Sequence, residues 1–176
     1  MSYERIIESI ISLNVKLAAF WSNSHGWASE DAAQLMSKSR LDRQVELSRA
    51  LQLWDFKKFK DGQLILAWAN LGALIEGTLK LFLAVYYEDY KADGIFLGGK
   101  LEQPDSLTLE KLKQFFREKG IVDQEWIVHI ELVQQRRNAI HAFKDRPIGD
   151  EEEFGQAVAL YLELMHIIHG MLPYPD

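Results

Sequence analysis

Leu64 to Tyr87 reads LILAWANLGALIEGTLKLFLAVYY, the longest apolar run in the chain. Its length admits either a membrane span or the central helix of a bundle. Asn70, Glu76 and Lys80 decide between them. An amide and two charges midway along a lipid-facing helix are costly, whereas a helix buried in protein can pair them with its neighbours. The run is therefore read as a core helix from Gln63 to about Tyr90. Ala69, Ala73 and Gly77 recur every four residues on it, so another backbone can approach closely there.

A core helix needs others to cover it, and the flanking sequence supplies them. Ile6, Ile10, Leu13 and Leu17 recur at three- and four-residue steps and predict a helix over residues 2–21. A break follows at Asn23–Gly26. Ser29 is the expected N-cap of the next helix, with Glu30 and Asp31 in its first turn. That helix is expected to run to about Lys58 with a bend near Ser37–Ser39. Asp93-Gly94, Gly98-Gly99 and Pro104-Asp105 are turn signals and make 91–106 a loop. Thr108 caps a short helix that Gly120 closes. Asp123 caps a fifth helix, which fades near Lys144 ahead of Asp145-Arg146-Pro147. Asp150 caps a last helix, with Glu151, Glu152 and Glu153 complementing its dipole and Pro173 closing it. No repeat, low-complexity tract, linker or convincing strand is visible. The expectation is an all-α, single-domain helical bundle of five to seven helices spanning residues 1–176.

Composition narrows the function classes. An apolar content of 48% and a charged content of 26% are those of a soluble globular protein. The absence of cysteine excludes disulfides, thiolate metal sites and cysteine nucleophiles, and suits a cytoplasmic location. Met1-Ser2-Tyr3-Glu4-Arg5 is polar, no signal-peptide pattern follows it, and no membrane partner is expected. The net charge of −6 disfavours indiscriminate nucleic-acid binding, which rests on Lys and Arg neutralising phosphates, but leaves room for a local basic site.

Such a site is offered by Arg136-Arg137-Asn138-Ala139-Ile140-His141, late in the fifth helix. Arginine presents a rigid fork of donors suited to phosphate, and histidine exchanges a proton near neutral pH. At about 100° per residue, Arg137 and His141 lie roughly 40° apart on one face, while Arg136 and His141 are separated by about 140°. Asn138 neighbours His141 at three residues. The stripe that carries Arg137 and His141 also carries Trp126, Ile130, Val133 and Ile140, which predicts a mostly buried face. A buried arginine needs a partner. Arg137 therefore either meets a carboxylate, for which Glu76 midway along the apolar helix is the candidate, or lines a cleft.

The same six residues resemble the signature of the HEPN superfamily (higher eukaryotes and prokaryotes nucleotide-binding domains), an arginine followed after four to six residues by a histidine, late in an all-α bundle. Arg136 and His141 satisfy the four-residue spacing. Many family members place Asn or Asp directly after the arginine; here Arg137 follows Arg136 and the asparagine comes one position later. Helical geometry prefers Arg137 and family spacing prefers Arg136. The resemblance implies a HEPN-like RNA-acting protein, either a metal-independent endoribonuclease of a toxin or defence system or a non-catalytic relative that binds a protein or nucleotide. It implies a homodimer with two motifs facing one cleft, an RNA or nucleotide partner, an antitoxin partner and no cofactor. In the implied chemistry His141 acts as acid or base, Arg136 or Arg137 stabilises charge on the phosphorane, and Asn138 orients the histidine or bonds the phosphate. The product carries a 2′,3′-cyclic phosphate.

Other patterns carry less. Glu163, His166 and His169 contain one Glu-x-x-His pair, where bundle di-metal sites use two, so no metal is expected. Trp54, Phe56 and Phe59 interleave with Lys57, Lys58 and Lys60 in a way that can stack bases, but a helix end with core aromatics and a solvated lysine face is the preferred reading. Gly98-Gly99 lacks the strand–helix setting of a phosphate loop. His25 and His129 have no partner suggested by spacing.

Overall fold

The computed structural model describes residues 1–54, 59–141 and 144–174. Eight α-helices are present among them: α1 (Tyr3–Trp21), α2 (Glu30–Lys38), α3 (Leu41–Ala50), α4 (Asp61–Val85), α5 (Tyr87–Ala92), α6 (Leu109–Glu118), α7 (Gln124–Arg137) and α8 (Glu151–Met171). Short 3-10 turns follow α3 at Leu51–Leu53 and α7 at Asn138–Ile140, and another precedes α6 at Pro104–Ser106. The all-α class holds, and the helix count exceeds the expected range because two expected helices are each broken in two. The first break is at Ser39, whose backbone turns extended while its hydroxyl donates to the Met36 carbonyl at 2.6 Å. Serine offers the backbone a local alternative to the helix ladder, so the expected bend becomes a break. The second is at Tyr86, whose ring packs on Phe82 and whose hydroxyl donates to the Met171 carbonyl on α8.

Helix starts follow their caps. The side-chain oxygens of Ser2, Ser29, Thr108 and Asp150 accept backbone N–H bonds from Arg5, Ala32, Lys111 and Glu153. Asp123 departs from expectation: it precedes α7 in an extended conformation, but its carboxylate makes no capping bond. Gly120, at φ +60, takes the left-handed conformation that stops α6. The expected loop at 91–106 contains a small antiparallel ribbon, β1 (Phe96–Leu97) paired with β2 (Lys100–Leu101). Gly98 and Gly99 supply two successive positive φ values, the requirement of a tight two-residue hairpin turn.

One hydrophobic cluster runs from Ile7 to Leu172. Its axis is α4, which lies against α2, α3, α5, α6, α7 and α8. By length and apolarity α4 would suffice to cross a bilayer, but most of its apolar stretch is buried inside the bundle. Polar groups on it reach its neighbours. Asn70 donates to the Leu47 carbonyl and accepts from the Trp54 indole, both at 3.0 Å. The Thr78 hydroxyl lies 3.0 Å from that of Tyr161 on α8. Burial pushes the Tyr161 phenol up to about 12, so it stays neutral and available for that bond.

Candidate functional site

The motif sits where α7 ends against α4. Trp126, Ile127, His129, Ile130 and Val133 are buried along α7, and this anchors its last turn. The helix stops at Arg137, earlier than the expected Lys144, and tightens into the 3-10 turn at Asn138–Ile140. His141 then leaves the helical path at φ −85, ψ 89. The 100° spacing rule therefore does not extend to His141. Ile140, expected on the buried stripe, is 49% exposed for the same reason. Phe143 and its neighbour Ala142 lie outside the described residues.

The two arginines diverge. Arg137 crosses the face of α4 at Gly72 and donates from Nη1 to Glu76 Oε2 at 2.7 Å. Gly72 makes that crossing possible: a Cβ there would come within 2.5 Å of Arg137 Cδ. Gly77, five residues on, is filled by the Gln44 side chain, which donates to the Leu74 carbonyl at 2.8 Å. These two glycines of α4 thus admit side chains, not a neighbouring backbone. Lys80 closes the cluster, donating to Glu76 Oε1 at 2.9 Å and to the Asp105 carbonyl at 3.0 Å. Burial opposes ionisation of Glu76, but the hydrogen bonds and charges of Lys80 and Arg137 outweigh it and hold the carboxyl below its usual range. Glu76 is the partner that the sequence pointed to.

Arg136 turns instead toward α8. It grips Glu153 with two parallel bonds, Nε to Oε2 at 2.8 Å and Nη2 to Oε1 at 2.9 Å, and gives Nη1 to the Pro147 carbonyl at 2.9 Å. The Glu153 hydrogen bond raises the guanidinium pKa further. Gly149, at φ +68, leaves room for the pair; a Cβ there would collide with the Glu153 carboxylate. No sequence signal marks this pairing, because Glu153 belongs to an acidic run that the α8 dipole already explains.

These bonds differ in what they leave free. Arg136 is only 14% exposed and has all three nitrogens engaged. Arg137 is 33% exposed and uses one N–H of five, so its Nε and Nη2 hydrogens have no acceptor among the described residues. His141 is exposed, and its imidazole makes no hydrogen bond or ion pair among those residues. Asn138 is half-buried, with its carbonyl accepting from the His141 N–H at 3.3 Å. The site therefore offers one arginine held yet open to an anion, one arginine committed to a carboxylate, and a solvated imidazole.

His129, about two turns before Arg136 on α7, carries no signal in the sequence. It is 4% exposed, both ring nitrogens lack partners among the described residues, and burial pushes its pKa down to about 4. Among the described residues no group of His, Asp and Glu side chains is placed to hold a metal. His166 is exposed, and His169 packs on Tyr174 with ring centroids 4.9 Å apart. Of the aromatic–lysine segment, Phe56, Lys57 and Lys58 lie outside the described residues, while Trp54 and Phe59 pack together with centroids 6.4 Å apart. No family model matches the chain, and no curated protein or solved structure matches it.

Proposed function

We propose that the chain is a HEPN-like RNA-acting protein, a metal-independent endoribonuclease in which Arg137 meets the phosphate and His141 moves the proton. The observation that carries this reading is the unequal commitment of the two arginines. Arg136 has its donors on Glu153 and Pro147, whereas Arg137 is fixed by one bond to Glu76 and keeps a guanidinium edge free. An arginine positioned in advance by a carboxylate stabilises developing phosphorane charge without reorganising. In the reaction the 2′-oxygen loses its proton and attacks phosphorus. The bond from phosphorus to the 5′-oxygen breaks, and that oxygen takes up a proton. A 2′,3′-cyclic phosphate and a 5′-hydroxyl remain. His141 is the exposed group able to give or take one of these protons. A second copy of the chain would bring a second His141 for the other transfer, and an added pair of arginines to offset Glu76 and Glu153.

The second reading is a non-catalytic helical module. The ion pairs Arg136–Glu153 and Arg137–Glu76 favour it, since each already ties α7 to another helix. Incubation with mixed RNAs in EDTA separates the two. The enzyme yields cyclic-phosphate ends, loses activity in His141→Ala and in Arg137→Met, and folds normally in the first. Intact RNA after incubation with folded protein, or undiminished cleavage by His141→Ala, would overturn the ribonuclease reading in favour of the module.

A further inference from the structure

A groove of about 320 Å³ lies between the α2–α3 junction and α4, on the side of Glu76 away from Arg137. Its walls are apolar: Leu35 and Met36 from α2, Leu81 and Ala84 from α4, and Pro104 from the turn before α6. Lys38, Arg40 and Lys80 also line it, against one carboxylate, Asp105. Three cations and one acid stand out in a chain of net charge −6. Their availability differs. Arg40 is engaged by Asp42 through two bonds of 2.8 and 2.6 Å. Lys38 has no ion-pair partner among the described residues. Lys80 gives two of its three ammonium hydrogens to Glu76 and the Asp105 carbonyl, which holds the nitrogen at the groove and leaves the third without an acceptor among the described residues.

We propose that this groove binds a small amphipathic carboxylate, with its apolar body against Leu35, Leu81 and Ala84, in front of the fully buried Met36, and its head group taking the third hydrogen of Lys80 and the charge of Lys38. An apolar pocket with a few convergent polar groups is the usual form of a small-molecule site. At roughly 30 Å³ per water-sized unit the volume holds about eleven of them, close to the non-hydrogen atom count of a ten-carbon fatty acid. A monoanion suits the site because only one ammonium hydrogen and one unpaired lysine are on offer. Lys80 and Arg137 share one carboxylate, so this groove and the motif meet at Glu76.

Decanoate is the probe, and methionine methyl signals read its position. The chain has four methionines. Of these Met36 lines the groove, while Met171, the last residue of α8, does not. With methyl-labelled methionine, decanoate should shift the Met36 signal saturably and leave Met171 in place. Decylamine, with the same chain and the opposite charge, should not. Lys80→Met should weaken decanoate by about tenfold or more, the loss of a charge-assisted bond. Lys38→Glu, an exposed change, should weaken it severalfold and decides the matter if Lys80→Met fails to fold. No Met36 shift at millimolar decanoate, an equal shift with decylamine, or unchanged affinity in Lys38→Glu would overturn the proposal.

Discussion

His129 should make the protein's stability depend on pH across a defined window. In the unfolded chain an imidazole takes up its proton near pH ~6.5. In the folded chain burial delays that event to about pH 4. Between those values the unfolded state binds more protons, so stability rises with pH and is lost as pH falls through the window. Each tenfold difference in proton affinity between the two states corresponds to about 1.4 kcal/mol, so the full effect is about 3 kcal/mol. The ring is 4% exposed, so solvent screening takes little from that figure. His129→Leu removes the titrating group and both unpartnered nitrogens while keeping a helix former at a buried position. Urea unfolding at pH 7, 6, 5 and 4 should give a parent curve that falls steadily and a variant curve that falls less, its remaining slope coming from His169, whose pKa burial also lowers, and at the acid end from carboxylates. Those carboxylates, Glu76 and Glu110 among them, have lowered pKa values and lose their contribution from the unfolded carboxylate pKa of about 4.3 downward, alike in both proteins. The difference between the two curves therefore isolates the histidine. At pH 7 the variant should be at least as stable as the parent, since it no longer buries unsatisfied polar atoms. A folded-state carbon NMR titration in which all five histidines change protonation near pH 6–7 would refute the reasoning, as would parallel curves for parent and variant.

Gly72→Ala should lower the melting temperature, because the added methyl meets Arg137; the expected cost is about 1–3 kcal/mol, in place of the usual gain of a helical glycine-to-alanine change. Gly170→Ala, with open space around it in α8, should instead gain about 0.4–1 kcal/mol, and a gain at both sites would show that Arg137 does not need the notch. A double-mutant cycle of Arg136→Met with Glu153→Gln should give a coupling of about 1–2 kcal/mol by urea unfolding, between exposed and buried pairs, and a value near zero would remove the bridge from α7 to α8. His141→Ala should leave stability within about 0.5 kcal/mol by the same measurement, since the exposed ring makes no bond among the described residues; a larger loss would assign it a structural role.

What could be read from the sequence was local or obligatory. Ser29, Thr108, Asp150 and Gly120 mark helix ends with groups that act within four residues, so no knowledge of the tertiary fold was needed. The Arg137–Glu76 pair was foreseeable because each charge lay on a face that had to be buried, and a buried charge requires its opposite. The break at Tyr86 was not, because the Met171 carbonyl that receives its hydroxyl is 85 residues away. Nor was the ribbon at 96–101, whose two-residue strands are too short to show alternation. The divergence of Arg136 from Arg137 also lay beyond the pattern, since it depends on Glu153 and Gly149 across the α7–α8 connection.

The central position of α4 bears on how the molecule opens. A helix with neighbours on nearly every side cannot expose its backbone by shedding one of them. Amide protons between Leu71 and Leu83 should therefore exchange with solvent only through complete unfolding, and their exchange free energy should equal the global value from denaturant. The ribbon at 96–101, exposed at Phe96 and Leu97 and paired only with itself, should exchange through small local openings. Between those limits lies the last turn of α7, tied to α4 by Arg137 and to α8 by Arg136. Its protection would measure how much of the motif's rigidity those two ion pairs supply.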